Sequence, residues 1–227
     1  MSFFDRLKSE AAPEWRAYTQ HAFVTGMADG ILPAASFRRY LVQDYLFLIE
    51  FARAYALAIY KAPRLEEMRE AASGLSAILD VEMNLHVTIC TGWGLSPSDL
   101  ENATPAAETL AYTRYVLDTG MRGDLLSLKV ALSPCVVGYA EIATWLKERP
   151  DACSESNPYR AWIKEYSGAP YQEVASKARA QLDRLADLYL TPAREAELTA
   201  IFKEATRLET EFWAMGLRTA NAAPENP

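Results

Sequence analysis

The chain has 227 residues, and half of them are apolar, which is enough for one large domain or two small ones with a sizeable core. Lysine and arginine together number 23 and aspartate and glutamate 30, so the formal net charge is −7. A nucleic-acid-binding protein needs a basic stripe that neutralises phosphates. The acidic balance therefore argues against a nucleic-acid partner.

The sequence also argues against a membrane or secreted protein. No run of about 18 uninterrupted apolar residues occurs, so no transmembrane helix and no membrane partner are expected. Residues 1–6 carry Asp5 and no apolar segment, so they do not resemble a signal peptide. The three cysteines lie far apart without a CxxC pair, which predicts neither a disulfide framework nor a zinc ribbon; they are Cys90, Cys135 and Cys153. The simplest expectation is a cytoplasmic location.

Long stretches without Gly or Pro predict helices, because they are rich in Ala, Leu, Arg and Glu. No alternating apolar and polar run predicts a strand, so the expected fold is all-α. The predicted helices span residues 3–11, 13–27, 35–61, 64–90, 104–119, 124–148, 157–167, 170–190 and 192–219. Residues 1–219 are expected to form a single all-α bundle domain, and residues 220–227 a flexible C-terminal tail.

Asp44 lies in the apolar stripe of the predicted helix 35–61. The side chains three, four and seven positions away are apolar or aromatic: Phe37, Tyr40, Leu41, Phe47, Leu48 and Phe51. A carboxylate in such a stripe costs several kcal/mol unless it is paired, protonated or used in chemistry. Asp44 is therefore either a structural carboxylate, paired with an arginine or capping a helix, or a functional acid.

The last predicted helix repeats this pattern with Glu209. It lies one heptad from Phe202 and one turn from Ala205 and Trp213, whereas the other acids of the helix project elsewhere. Two long helices that are distant in sequence thus each carry one inward carboxylate. In a helical bundle such groups can meet in a central pocket.

Glu82 and His86 are spaced by four residues next to apolar positions. One interpretation is metal ligation, but a di-iron bundle needs two Glu-x-x-His pairs and further carboxylates. Here the spacing is one residue longer and only one pair occurs. The favoured interpretation is a buried, hydrogen-bonded pair that supports the site from behind, and no metal is expected.

The segment from Leu132 to Tyr139, with the sequence Leu-Ser-Pro-Cys-Val-Val-Gly-Tyr, combines a proline and a cysteine. Pro134 is expected to kink the helix, because it lacks an N–H and its ring clashes with the preceding turn. Cys135 then lies at the kink or in a new first turn, where a helix N-terminus lowers the pKa of a thiol. Tyr139 follows on the same face. The alternative is an inert, buried cysteine.

Tyrosines are abundant, with 12 in the chain, and several fall near the same predicted elements: Tyr45, Tyr112, Tyr139, Tyr159 and Tyr166. Aromatic stripes on helices commonly belong to the core. An aromatic-lined pocket with two carboxylates nevertheless suits a flat, cationic or amidine-like heterocycle. Its faces stack on the rings, and its N–H groups donate to the carboxylates.

Together these residues resemble the TenA/thiaminase II family, most clearly from Phe37 to Arg218. The resemblance depends on the order and spacing of several short motifs. They are Tyr40-Leu-Val-Gln-Asp44, Glu82-Met-Asn-Leu-His86, Ala111-Tyr-Thr113, Ser133-Pro-Cys135 with Tyr139, Tyr159-Arg-Ala-Trp-Ile163 with Tyr166, and Glu209-Thr-Glu-Phe-Trp213. The resemblance implies a heme-oxygenase-like bundle without heme or another cofactor. It also implies a cytoplasmic homotetramer that hydrolyses thiamin or its breakdown product 4-amino-5-aminomethyl-2-methylpyrimidine in thiamin salvage.

The resemblance also implies a role for each motif residue. Cys135 matches the nucleophile that adds to the pyrimidine ring and helps to expel the leaving group. Glu209 matches the proton donor and acceptor. Asp44 matches the carboxylate that holds the aminopyrimidine edge.

Four aromatic positions complete the implied site. Tyr139 and Tyr166 match tyrosines that contact the substrate, and Tyr112 matches a tyrosine beside the cysteine. Phe47 stands where some members of the family have a tyrosine, so stacking is kept but one hydroxyl near Cys135 is lost. The retained cysteine places the chain in the cysteine class, since another subset carries a carboxylate there.

Two other function classes stay open at this point. One is a metal-dependent oxidase on the same kind of bundle, with Glu82, His86, Asp44 and Glu209 as ligands. The other is a regulatory binding protein without catalytic activity, for which the charge of −7 disfavours direct contact with DNA.

Overall fold

A computed structural model describes residues 1–221, with side chains described as far as Arg218, and every regular element in this range is helical. The expectation of an all-α chain is confirmed. The helices are α1 Phe3–Glu10, α2 Ala12–Thr19, α3 Ala22–Ala28, α4 Ala34–Lys61, α5 Leu65–Ala77, α6 Met83–Gly92, α7 Pro97–Glu101, α8 Ala107–Arg122, α9 Leu125–Lys147, α10 Arg160–Ser167, α11 Ala169–Tyr189 and α12 Pro192–Asn221. A π-helical turn, Ile78–Glu82, joins α5 to α6.

The helix predicted over residues 13–27 is in fact two helices, α2 and α3. The backbone of His21 is extended, with φ −61° and ψ 151°, and its ring nitrogen Nδ1 accepts a hydrogen bond from Phe23 N–H at 3.2 Å. A side chain that caps the first turn in this way begins a new helix. Histidine is not among the preferred capping residues, so the sequence pattern predicted one continuous helix.

Helix α9 forms the centre of the bundle. It packs against α8, α10, α11 and α12, while α4 packs against α5, α8 and α12. Among the described helices α9 alone has the length and composition to cross a membrane, with a mean hydropathy of 1.5 over an 18-residue window. In the folded chain 89% of that window is buried within the protein, which is typical of a core helix.

Pro134 lies inside α9 without ending it. Because proline has no N–H to donate to Val130 O, the hydroxyl of Ser133 donates there instead, at 2.8 Å. Tyr18 Oη donates to the carbonyl oxygen of Pro134 at 3.3 Å. A Cβ at Gly138 would come within 2.4 Å of the Tyr18 ring, so only glycine allows this contact.

The C-terminal helix extends past the predicted domain boundary at residue 219. Helix α12 continues to Asn221, two residues into the predicted tail 220–227, and the rest of that tail lies outside the described residues. A second group of elements packs mainly on α4. It consists of α5, the π-helical turn and α6, and we call it the arm. The arm therefore places the residues of the π-helical turn next to the helix that carries Asp44.

Candidate active site

Cys135 lies in the interior of α9, so of the two predicted positions, at a kink or in a new first helical turn, the second is wrong. The helix begins at Leu125, well before the cysteine, so its dipole does not stabilise a thiolate here. Burial raises the pKa of the Cys135 thiol well above its usual value, and the carboxyls of Glu209, Glu82 and Asp44 raise it further. The resting cysteine is therefore a neutral thiol.

The Cys135 side chain keeps some accessible surface inside the bundle. Its neighbours Pro134 and Val136 are buried, whereas Cys135 itself is only half-buried although it belongs to the core helix. Accessible surface on a side chain of the central helix is what a small-molecule site beside it requires. We call the space in front of the Cys135 thiol the cysteine chamber.

Glu209 on α12 lies beside this thiol, with 1% of its surface exposed. Its Oε1 accepts a hydrogen bond from Tyr112 Oη at 2.9 Å. Burial raises the pKa of Glu209 to about 8, and its hydrogen bonds with Tyr112 and with Cys135 limit that rise. A carboxyl with a pKa near neutrality, in contact with a thiol, can move a proton in either direction.

Asp44 on α4 is 4% exposed and belongs to a second hydrogen-bonded group. Tyr40 Oη donates to Asp44 Oδ2 at 3.1 Å, and Trp162 Nε1 donates to Tyr40 Oη at 3.1 Å. Burial raises the pKa of Asp44 to about 7, although the Tyr40 hydrogen bond opposes the rise. This burial agrees with the inward acid that the apolar spacing of the helix predicted.

His86 supports Asp44 rather than Glu82. Its Nε2–H donates to the carbonyl oxygen of Leu41 at 2.8 Å, which leaves Nδ1 with its lone pair facing Asp44 Oδ2 at 3.4 Å. Burial lowers the pKa of His86 to about 4, so the ring is neutral.

The expected hydrogen-bonded pair of Glu82 and His86 does not form. Both ring nitrogens of His86 face other groups, and within the described residues Glu82 makes neither a hydrogen bond nor an ion pair. The His86 ring is instead occupied by Leu41 and Asp44, which both lie on α4. Among residues 1–221 no group of three or more His, Cys, Asp or Glu is arranged to hold a metal ion.

Aromatic rings surround the two acids. The rings of Phe47 and Tyr112 lie 5.1 Å apart, and those of Tyr139 and Tyr166 lie 5.2 Å apart; all four side chains are buried. Burial raises the pKa of Tyr112, Tyr139 and Tyr166 well above the usual value, so these hydroxyls stay protonated. The predicted aromatic positions therefore lie in one region of the core with Asp44 and Glu209.

Sequence reasoning missed several members of this region: Tyr18, Tyr40, Trp162, Tyr171 and Trp213. Tyr40 had a usable signal, because it lies four residues before Asp44 on one helix face. Tyr171 contacts Tyr166, with ring centres 4.7 Å apart, and is only half-buried. Tyr159, which the sequence placed near the site, instead donates its hydroxyl to Leu32 O and stacks on Trp93 at 5.4 Å.

A surface groove elsewhere, between α1, α2 and α9, is not a competing site. It has a volume of about 560 Å³ and contains none of the predicted site residues. Its central carboxylate, Glu141, is already bound by Lys8, Trp15 and Arg179. The Glu141 carboxylate thus has its partners within the chain.

The architecture agrees with a known class of helical bundle. A solved domain from Shewanella denitrificans with a heme oxygenase-like fold superposes with a TM-score of 0.76 at 10% sequence identity. The match covers 96% of this chain and 93% of that chain. The protein is therefore an all-α bundle with a heme oxygenase-like fold, as the sequence predicted.

Within that class, the family follows from the sequence match. The sequence model of the TENA/THI-4/PQQC family matches residues 8–219, and the chain belongs to this family. A relative from Halalkalibacterium halodurans named aminopyrimidine aminohydrolase is 41% identical over 215 residues, which are 95% of each chain. The crystal structure of a protein described as a TenA family transcription regulator, from a Silicibacter species, is 43% identical with a TM-score of 0.89, covering 95% of this chain and 96% of that chain.

Proposed function

We propose that the protein hydrolyses 4-amino-5-aminomethyl-2-methylpyrimidine, and thiamin, to hydroxymethylpyrimidine, with Cys135 as the nucleophile. One observation carries the proposal: a thiol in an accessible chamber contacts a buried carboxyl, Glu209, whose pKa is about 8. The expectation of an enzyme is confirmed by relatives named aminopyrimidine aminohydrolase that match nearly the whole chain. A hydrolase of thiamin-related aminopyrimidines is the activity those names support.

The first step is a proton transfer coupled to nucleophilic addition. Because the Cys135 thiol is neutral at rest, a base must take its proton as sulfur attacks the ring. Glu209 lies beside the thiol and can accept that proton, then deliver it to a ring nitrogen. The addition removes the aromatic character of the pyrimidine and allows the exocyclic substituent to leave.

Asp44 provides the orientation of the ring in this mechanism. A 4-aminopyrimidine edge presents a ring nitrogen that accepts a hydrogen bond beside an amino group that donates one. A protonated carboxyl also has one donor and one acceptor, and burial, which raises the pKa of Asp44 to about 7, favours that protonation state. Asp44 thereby fixes which ring carbon faces the cysteine.

The aromatic side chains hold the faces and edges of the ring. Tyr139 and Tyr166 are proposed to contact the substrate, and Tyr112 holds Glu209 beside the thiol. Phe47 packs against Tyr112 and supplies a stacking face without a hydroxyl. Since Tyr112 already binds Glu209, the missing hydroxyl at residue 47 does not leave that carboxyl unpaired.

A cytoplasmic homotetramer is part of the proposal. Large apolar side chains are exposed along the arm of α5, the π-helical turn and α6: Leu65, Met68, Leu79, Val81 and Leu85. Several exposed apolar side chains on one arm support association with other copies of the chain. Sedimentation of the purified protein tests the oligomeric state.

The proposed activity is tested with a substrate panel. The purified protein is incubated with the aminomethyl pyrimidine and with thiamin, and released ammonia or thiazole is measured. Release from the aminomethyl compound, absent in Cys135→Ser, supports the proposal. If the wild-type protein binds these compounds without converting them, a regulatory binding protein is favoured instead. The Silicibacter protein is described as a transcription regulator.

A further inference from the structure

Glu82 is an acidic side chain near enough to Cys135 for its charge to act on the thiol, and the proposed mechanism gives it no role. It ends the π-helical turn between α5 and α6 and is half-buried. The backbone N–H of Met83 bonds to Ile78 O, five residues back, which marks the widened turn. Such turns inside α-helices are frequent at functional sites, because they shift one side chain out of the regular helical order.

The charged side chains around Glu82 are negative, as Glu82 itself is. Asp44 and Glu165 are the charged groups that act on it, and both are carboxyls. The buried ammonium of Lys129 is directed elsewhere: its Nζ lies 4.2 Å from the ring centre of Tyr55 and forms no ion pair with Glu82 in the described part of the chain. Glu82 thus has acidic neighbours and no paired cation among the described side chains.

Three acids therefore share the chamber without an arginine or lysine partner. Asp44, Glu82 and Glu209 all act on the Cys135 thiol, and in the described residues none of the three is ion-paired with a basic side chain other than His86. Buried carboxylates are costly unless they are protonated or meet a positive charge. A cationic ligand can supply the charge that the protein does not.

We infer that Glu82 binds the positively charged leaving group of the substrate, so that Asp44 holds the aminopyrimidine edge while Glu82 holds the substituent on the exocyclic carbon. The ligand class is a pyrimidine with a cationic one-carbon substituent, either an aminomethyl ammonium or a thiazolium. This inference rests on the proposed function and assigns the specificity of that site for the leaving group.

The same position suits a role in the second half of the reaction. The exocyclic C–N bond breaks with its electron pair on nitrogen, which leaves as ammonia. Water then forms the new C–O bond at that carbon, and its proton passes to the Glu82 carboxylate and onward to ammonia, which departs as ammonium. Water and the aminomethyl compound are thus the only reactants, and the hydroxymethyl compound and ammonium the only products.

The test compares the binding of a cation and a neutral isostere. In the Cys135→Ser protein, which does not turn over, calorimetry measures the affinity for the aminomethyl pyrimidine and for its hydroxymethyl counterpart. We expect the cation to bind about 10- to 100-fold more tightly, the range of a charge-assisted hydrogen bond. Adding Glu82→Gln to the Cys135→Ser protein should remove most of this preference. The affinity for the hydroxymethyl compound should stay within about threefold of that of the Cys135→Ser protein.

Two further variants separate this role from a structural one. Glu82→Asp keeps the charge and should keep a preference for the cation, whereas Glu165→Gln removes an exposed acid near Glu82 and should leave the preference unchanged within about threefold. Thermal unfolding of each variant checks that it is folded. Equal loss of affinity for both compounds in Glu82→Gln, or no preference in the parent protein, would overturn the inference.

The inference and the proposed function fail in different ways. If wild-type protein releases no ammonia but the cation preference depends on Glu82, the hydrolysis is wrong and the binding role stands. If ammonia is released and Glu82→Gln keeps the preference, the hydrolysis stands and the assignment of Glu82 is wrong. A protein that binds neither compound overturns both.

Discussion

The chemistry of single residues in this protein depends on how burial changes their protonation. In water a cysteine and a glutamate would be a thiol beside an ionised carboxylate. In the chamber, burial raises the pKa of the Cys135 thiol well above its usual value and that of the Glu209 carboxyl to about 8. The two residues are therefore expected to act as a unit, with one proton shared between them during addition.

The Cys135→Ser variant tests the nucleophile. A serine hydroxyl holds its proton far more strongly than a thiol does, so we expect ammonia release to fall at least about a thousandfold. The fold should be retained, since the two side chains are of similar size. Cys153→Ser, at a half-buried cysteine in the loop before α10, is the matched control and should keep full activity. Unchanged activity in Cys135→Ser rules out the nucleophile assignment.

The Glu209→Gln variant tests proton transfer. The amide keeps the shape of the side chain and can still accept from Tyr112 Oη, but it cannot carry the proton. We expect kcat to fall by about 100- to 10,000-fold with a smaller change in KM. Glu211→Gln, a half-buried acid on the same helix, is the control. If instead KM rises steeply and kcat is kept, Glu209 only positions the substrate.

At the scale of single elements, helix α9 shows how a proline is accommodated inside a core helix. The lost backbone hydrogen bond at Val130 is replaced by the Ser133 hydroxyl, and Tyr18 from α2 binds the carbonyl of Pro134. These contacts keep the helix continuous, so Cys135 is presented from its middle. The proposed nucleophile is thus positioned by packing of α2 on α9, and a helix terminus contributes nothing.

Gly138→Ala tests this packing. The added Cβ would lie 2.4 Å from the Tyr18 ring, so the ring or the helix must move, and we expect a loss of about 1–3 kcal/mol in the free energy of unfolding. Gly92→Ala, at a helical glycine with nothing within 4 Å, is the control and should be neutral or slightly stabilising. Chemical denaturation measures both. Equal stability of the two variants would contradict the role given to the Tyr18 contact.

For the whole molecule, the buried acids determine how stability depends on pH. Burial raises the pKa of Asp44 to about 7 and that of Glu209 to about 8, whereas both are near 4 in an unfolded chain. Between pH 6.5 and 8 the folded state therefore holds more protons than the unfolded state, and it loses stability as pH rises. His86, with its pKa lowered to about 4, opposes this trend only below pH about 6.5.

Thermal unfolding at constant ionic strength checks this expectation. We expect Tm to fall by about 3–10 °C between pH 6.5 and pH 8. The double variant Asp44→Asn, Glu209→Gln removes both titrating groups and should show a flatter dependence over the same range. A Tm that rises with pH in the wild-type protein would mean that the two carboxyls are already ionised when the chain folds.

Much of the site could be predicted from helical periodicity. Asp44 and Glu209 each interrupt an otherwise apolar stripe, and both are buried. Cys135 was found for a reason that does not hold, since the proline beside it does not begin a new helix. The pairing of His86 with Asp44 and Leu41 was not predictable, because it joins residues of two helices whose relative rotation depends on the π-helical turn.

The sequence alone determined that this protein is an all-α bundle and which acids point inward, because apolar spacing of three and four residues requires one buried face on each helix. Only the tertiary structure decided which groups meet and in what protonation state. Desolvation depends on every element packed around a side chain, so the neutral thiol, the raised pKa of Glu209 and the acidic surroundings of Glu82 exist only once the helices have come together.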